Sequence, residues 1–119
     1  MGKRILVVDD QETIILFLRG RLEKLGFEVA TASNGLEGLE VLKSESITGI
    51  LLDLEMPIMD GLTMLNRLRQ RSATVPVIVM SADPTRSTMI KAIEGGARDY
   101  LFKPISDYIL KHKCLRLFT

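Results

Sequence analysis

Short continuous runs of hydrophobic residues alternate along this chain with hydrophobic stripes at helical spacing. Runs of this kind are typical of strands that are buried on both faces. They predict five strands, over residues 5–8, 27–32, 50–52, 75–80 and 100–102. The stripes between them, such as Ile15, Leu18, Leu22 and Leu25 before Gly26, predict a helix after each strand.

The last predicted helix is the least regular of the five. Ser106 or Asp107 can cap it, and Ile109 and Leu110 supply its hydrophobic side. Residues 111–119 are basic and irregular, so we expect the chain to fray there or to be part of a longer protein.

Five strand–helix units in succession imply an α/β fold, with a parallel sheet and helices on both of its faces. The length of 119 residues corresponds to one domain, residues 1–119. The net charge of +1 gives no electrostatic reason to expect direct binding of nucleic acid or of an anionic membrane. No apolar run approaches the roughly 18–20 residues of a membrane helix. Cys114 is the only cysteine, which excludes an internal disulfide and fits a reducing cytoplasm.

Acidic residues follow two of the predicted strands directly. Asp9 and Asp10 come after the first strand, and Asp53 comes after the third. Because the carboxyl ends of parallel strands share one edge of the sheet, we expect these carboxylates to meet there. Three carboxylates repel one another unless a cation holds them, and hard oxygen ligands suit Mg²⁺. A carboxylate beside a bound cation can also attack phosphorus as a nucleophile.

The same edge is predicted to carry a hydroxyl and a cation. Ser81 follows the fourth strand, and Lys103 follows the fifth and precedes Pro104. Phosphoryl transfer uses this set of groups, because the charge that spreads over the phosphoryl oxygens must be matched by cations and hydrogen-bond donors.

With these residues the chain closely resembles the receiver domain of two-component response regulators. The resemblance rests on residues 5–10, 53–61, 77–82 and 96–104, in the order and spacing of that family. It implies a flavodoxin-like (βα)5 domain whose five parallel strands lie in the order 2-1-3-4-5. It also implies a phosphoacceptor switch that catalyses its own phosphorylation and dephosphorylation, with no separate substrate to turn over.

The resemblance assigns a role to each polar residue at the sheet edge. Asp53 matches the phosphoacceptor, and Asp9 and Asp10 match the acidic pair that binds Mg²⁺ together with Asp53 and the backbone carbonyl of Glu55. Lys103 matches the lysine that pairs with a phosphoryl oxygen, and its bond to the following proline is expected to be cis.

Two further residues match the switch of the family. Ser81 matches the Ser/Thr whose hydroxyl bonds the phosphoryl group. Tyr100 matches the aromatic residue that swings inward on activation. The face formed by the fourth helix, fifth strand and fifth helix is then expected to change.

The implied partners are a sensor histidine kinase or a histidine phosphotransfer protein, and a downstream effector or output domain. A homodimer through the face of the fourth helix, fifth strand and fifth helix is a further expectation. A cytoplasmic location is expected. No output module follows in the sequence, so we expect either a stand-alone regulator or a receiver cut from a longer protein.

Other functions fit the residues less well. Haloacid-dehalogenase-like phosphatases place an Asp-x-Asp pattern after the first strand, whereas Asp9 and Asp10 are adjacent. A flavin site needs a Ser/Thr/Gly-rich phosphate loop there, and residues 9–13 are acidic instead. A receiver that only docks partners would lack one of the key residues. His112, the only histidine, and Cys114 are interpreted as residues without a catalytic role.

Overall fold

The computed structural model describes residues 2–119 and contains five strands that alternate with five helices. The strands are β1 (Arg4–Val8), β2 (Glu28–Ala32), β3 (Gly49–Asp53), β4 (Val77–Ser81) and β5 (Asp99–Phe102). The helices are α1 (Glu12–Lys24), α2 (Gly35–Ser44), α3 (Gly61–Gln70), α4 (Arg86–Glu94) and α5 (Asp107–Phe118). Across this described part of the chain, no helix is both long and apolar enough to cross a membrane.

All five strands are parallel and lie in the order β2-β1-β3-β4-β5, which confirms the predicted fold. The register pairs Val8 with Leu52, Asp53 with Met80 and Ser81 with Phe102. The strand ends that precede the predicted site residues are therefore level with one another. This alignment brings side chains from distant parts of the sequence to one edge of the sheet.

Each face of the sheet is covered by its own hydrophobic core. Leu6, Val8 and Leu52 point into the core that α2, α3 and α4 cover, together with Met64 and Ala92. Alternate residues of the same strands point into the opposite core, which α1 and α5 cover. Because both faces are buried, every residue of β3 and β4 is buried, which explains their unbroken apolar sequence.

The end of the chain differs from the expectation that residues 111–119 would fray. The helix α5 continues to Phe118, because Cys114 and Phe118 are buried in the core one and two turns after Leu110. The Phe118 ring fills the space beside Gly49, where any Cβ would overlap it. Burial raises the pKa of the Cys114 thiol to about 12, so this cysteine is held as an unreactive thiol.

Two basic residues of α5 form ion pairs with Asp99. Lys113 Nζ lies 2.8 Å from Asp99 Oδ1, and Arg116 Nη2 lies 2.6 Å from Asp99 Oδ2. Although burial opposes ionisation, these contacts lower the pKa of Asp99 below its usual value. The pairs tie α5 to the start of β5. His112 lies within the helix, and its ring packs at a tilt against that of Tyr108, with ring centroids 4.3 Å apart.

The predicted bounds of each strand differ from the observed ones by one or two residues, and two of the differences have a clear structural reason. The fourth strand begins at Val77 instead of Val75, after Pro76, and it includes Ser81. Proline lacks the N–H that a central strand must donate, so the ladder begins after it. Phe27 precedes β2, and its ring instead packs edge-on against Phe118.

Candidate active site

Three carboxylates meet at the carboxyl edge of the sheet, as predicted. One oxygen from each of Asp9, Asp10 and Asp53 lies within 4.8 Å of the others. Asp9 and Asp53 are buried, whereas Asp10 is exposed. The backbone N–H of Asp9 donates to Ala32 O, and that of Leu54 donates to Met80 O, so neighbouring strands hold the acidic residues in place.

Lys103 reaches the same cluster from the end of β5. Its Nζ lies 3.1 Å from Asp9 Oδ2 and 3.2 Å from Asp53 Oδ1, and its side chain is only 13% exposed. Burial disfavours the charged ammonium, but the two carboxylates outweigh burial and raise the pKa of Lys103. The Lys103–Pro104 peptide bond is cis, as expected, and the Lys103 N–H donates to Ser81 O.

The surroundings of the Asp53 carboxyl disfavour its ionised form. Burial and the charge of Asp9 raise its pKa from 3.8 to about 6, while Lys103 and the N–H of Glu55 oppose the rise. Asp53 Oδ1 accepts the Glu55 N–H at 3.2 Å. A single lysine therefore does not compensate two buried carboxylates, and a further cation would stabilise the site.

The donor set fits a magnesium ion. Asp9 Oδ1 accepts the Gln11 N–H at 2.8 Å, whereas the buried Oδ2 accepts no hydrogen bond of good geometry from residues 2–119, and the Lys103 ammonium lies 3.1 Å from it. A buried carboxylate oxygen in this condition needs a partner. Clustered carboxylate oxygens with one exposed member match the preference of Mg²⁺, which retains several waters.

Ser81 lies at the end of β4, and its hydroxyl donates a hydrogen bond to the side chain of Glu55, for which no structural role was predicted from the sequence. Ser81 Oγ donates to Glu55 Oε2 at 2.7 Å, and the Ala82 N–H donates to Glu55 Oε1 at 3.3 Å. The Asp83 N–H in turn donates to Ser81 Oγ at 2.9 Å. The carboxylate of Glu55 therefore fixes the first residues of the β4–α4 loop.

Tyr100 is already turned inward in this structure. It is 3% exposed, and its hydroxyl donates to Asp83 O at 2.9 Å. The Asp83 carboxylate faces the start of α4, where it accepts from the Thr88 hydroxyl at 2.6 Å and from the Thr85 N–H at 2.9 Å. The hydrogen bond from Thr88 is the main reason that the pKa of Asp83 is lowered.

The loop from β3 to α3 is held tightly against the acidic cluster. Asp60 caps α3 by accepting the Thr63 N–H at 2.8 Å. Gly61 donates its N–H to Leu54 O, and a Cβ at this position would overlap Asp53 O. A glycine is therefore required for the backbone to pass this close to Asp53.

Comparison with known proteins identifies the family. Residues 5–114 match the family model of the response regulator receiver domain. The chain belongs to this family. It is thus the receiver domain of a two-component response regulator, the class of signalling protein that carries a phosphoaspartate, and the acidic cluster described above is compatible with that role.

Individual relatives agree with this assignment. The chain is 39% identical over 106 residues to the Alkaline phosphatase synthesis transcriptional regulatory protein PhoP of Bacillus subtilis, covering 89% of this chain and 44% of that protein. It is 38% identical over 117 residues to the Transcriptional regulatory protein SrrA of Staphylococcus aureus, covering 97% of this chain and 48% of that protein. The chain therefore spans about half the length of these relatives.

The fold is also that of solved receiver domains. The receiver domain of the Francisella response regulator 1452 superposes with a TM-score of 0.93 at 31% identity, covering 98% of this chain and 97% of that chain. The similarity thus extends over the whole described domain, including α5.

Proposed function

We propose that this receiver domain accepts a phosphoryl group on Asp53, in a Mg²⁺-dependent reaction, from a phosphohistidine of a sensor kinase or a phosphotransfer protein. The observation that carries the proposal is the Asp53 carboxylate itself: it is buried, flanked by Asp9 and Asp10, and contacted by Lys103. Burial beside further carboxylates is unfavourable for an ionised structural aspartate, whereas a carboxylate held beside cationic groups can act as a nucleophile toward phosphorus.

The chemistry follows from these contacts. One Asp53 oxygen forms the bond to phosphorus while the P–N bond of phosphohistidine breaks, and the imidazole leaves with the electron pair. Charge spreads over the phosphoryl oxygens as the bonds exchange. The Lys103 ammonium, 3.2 Å from Asp53 Oδ1, is placed to donate to one of them. Mg²⁺ bound by Asp9, Asp10, Asp53 and the Glu55 carbonyl would neutralise further charge.

The response is proposed to pass through Ser81 and Tyr100. The Ser81 hydroxyl would move to the phosphoryl group, and Tyr100, which already lies inward in this structure, would be held there by the rearranged β4–α4 loop. Moving a two-state equilibrium from 1:99 to 99:1 needs about 5.5 kcal/mol of differential stabilisation. Charge-assisted hydrogen bonds to a phosphoryl group, at roughly 1.5–3 kcal/mol each, supply energies of that order.

The surface of α4, β5 and α5 is the proposed site of output. It exposes a set of large hydrophobic residues, each at least 45% exposed, namely Ile90, Ile93, Phe102, Tyr108 and Ile109. We propose that an effector, an output domain or a second copy of the chain binds there. The relatives are transcriptional regulators by name, so control of transcription is the proposed output, without direct nucleic acid binding by this domain. The proposed location is the cytoplasm.

Incubation with acetyl phosphate tests the assignment. With Mg²⁺, intact-mass spectrometry should detect one added phosphoryl group on the wild type and none on Asp53→Asn. A chelator should abolish labelling of the wild type. Asp60→Asn is the matched control, because Asp60 is an exposed acidic residue of the same loop and asparagine also caps helices. Equal labelling of Asp53→Asn and wild type would refute the proposal.

A further inference from the structure

A chain of hydrogen bonds runs from Glu55, beside the acidic cluster, to the buried ring of Tyr100. The Ser81 hydroxyl donates to Glu55, the Asp83 N–H donates to Ser81 Oγ, and the Tyr100 hydroxyl donates to Asp83 O. Each link lies between 2.7 and 2.9 Å. The position of Tyr100 is therefore coupled to the group that accepts the hydrogen bond from the Ser81 hydroxyl.

Both oxygens of the Glu55 carboxylate accept a hydrogen bond from the end of β4 and the loop after it. One oxygen takes the Ser81 hydroxyl and the other lies 3.3 Å from the Ala82 N–H, so two consecutive residues donate to one anion. A phosphoryl group offers the same chemistry, with several oxygens that carry negative charge and accept from adjacent donors. Hydrogen bonds to an ionised acceptor are about twice as strong as neutral ones.

We propose that the side chain of Glu55 is a positioning residue that stands in for the phosphoryl oxygens. It holds Ser81 and the β4–α4 loop so that Tyr100 lies inward before Asp53 is modified. Phosphorylation must then take the Ser81 hydroxyl away from Glu55. The Glu55 carboxylate and the phosphoryl group thus compete for the hydrogen bond from the Ser81 hydroxyl. The strength of the contact with Glu55 determines how far Tyr100 is held inward before phosphorylation. This competition rests on the proposed function of Asp53, whereas the hold of Glu55 on Tyr100 does not.

The two tyrosines of the chain provide the assay. Tyr100 is 3% exposed and Tyr108 is 71% exposed, so Tyr108 serves as an internal standard for reaction with tetranitromethane. The measurement is the ratio of nitration at Tyr100 to nitration at Tyr108, read by peptide mass spectrometry in the presence of a chelator. In Glu55→Ala we expect this ratio to rise about tenfold, because the loss of one charge-assisted hydrogen bond favours the exposed position of Tyr100 by about that factor.

The chain contains a matched control for the chemistry of this contact. Glu37 accepts the Ser33 hydroxyl at 2.9 Å and the Ser33 N–H at 3.1 Å, which is a similar two-oxygen contact on another loop. Glu37→Ala should leave the nitration ratio at Tyr100 unchanged. Glu55→Gln should give an intermediate ratio, because its amide oxygen still accepts one donor while its NH₂ group faces the other.

A double substitution tests whether Glu55 and Ser81 protect Tyr100 through the same contact or each substitution merely destabilises the loop. Ser81→Ala should expose Tyr100 as much as Glu55→Ala does, and the double variant should add nothing further. A protected Tyr100 in Glu55→Ala would overturn the proposal, and so would equal exposure in Glu37→Ala. Exposure that adds up in the double variant would also overturn it, because the two residues would then act independently.

Phosphorylation of the Glu55→Ala variant distinguishes the stand-in role from a purely structural contact, because only the stand-in role predicts that the phosphoryl group replaces Glu55. In Glu55→Ala, labelling with acetyl phosphate should restore the protection of Tyr100, because the phosphoryl group offers Ser81 a new acceptor. If the variant is labelled and Tyr100 stays reactive, the stand-in role is wrong. If Asp53 cannot be labelled at all, the proposed function has failed, while the nitration ratios of the unmodified variants still decide whether Glu55 holds Tyr100.

Discussion

Replacing Asp53 by asparagine should stabilise the domain at neutral pH even though it removes the proposed phosphoacceptor. Asp53 is 1% exposed and lies in one cluster with the buried Asp9. Asparagine has nearly the same shape and keeps an oxygen that can accept the Glu55 N–H, but it carries no charge. The substitution therefore resembles a carboxyl that stays protonated at every pH.

The size of the effect follows from the pKa of Asp53. A rise from 3.8 to about 6 corresponds to roughly 3 kcal/mol of unfolding free energy. The pKa of Asp53 is higher in the folded state than in the unfolded state. Its contribution to the free energy of unfolding is therefore fully present below pH 3.8, where the carboxyl is protonated in both states, and is lost as the pH rises through about 6. The variant should thus match the wild type near pH 4 and exceed it by up to ~3 kcal/mol above pH 7.

Urea unfolding between pH 4 and 8, in the presence of a chelator, measures this difference. For a domain of this size the gap near pH 7.5 is equivalent to a melting temperature higher by on the order of 10 °C. Adding Mg²⁺ should narrow the gap, because the ion binds the folded wild type more tightly than it binds the variant. Asp60→Asn, which replaces an exposed carboxylate outside the acidic cluster, should not reproduce the gain at pH 7.5. A variant no more stable than the wild type at pH 7.5 would refute the electrostatic account of the cluster.

Three further substitutions test separate parts of the account. Asp10→Ala should weaken Mg²⁺ binding in a titration and raise the melting temperature of the metal-free domain, because one repulsive carboxylate is removed; a clearly lower melting temperature would contradict this. Glu55→Gln should speed labelling by acetyl phosphate, and the gain should shrink as salt screens the charge, whereas slower labelling would mean that the carboxylate helps. Ile58 is 80% exposed with φ of 68°, so Ile58→Gly should raise the unfolding free energy by about 1 kcal/mol in urea, and a decrease would show that its backbone is unstrained.

The sequence was sufficient to predict the site because its residues follow directly after buried strands. In a parallel sheet, the position of a residue along its strand determines the edge at which it lies. Asp9, Asp53 and Lys103 could therefore be brought together without any side-chain coordinates. The strand order came from the family resemblance, since the apolar runs alone do not say which strands are neighbours.

What was missed depended on contacts between distant residues. The end of α5 was predicted to fray because it is rich in basic residues. The helical spacing of four between Leu110, Cys114 and Phe118 was overlooked among them. That spacing was a usable signal, but the space that Phe118 fills exists only because residue 49 is a glycine. The contact from Ser81 to Glu55 had no local signal, since it joins the ends of two neighbouring strands across 26 residues.

Locating the phosphoryl group within the chain tests the central claim most directly. After labelling with acetyl phosphate and Mg²⁺, borohydride reduces an acyl phosphate and leaves a stable alcohol at the modified residue. Peptide mass spectrometry then reads its position. The account predicts reduction at Asp53 alone among the acidic residues of the domain. Reduction at Asp9, Asp10 or any other carboxylate, with Asp53 intact, would contradict it.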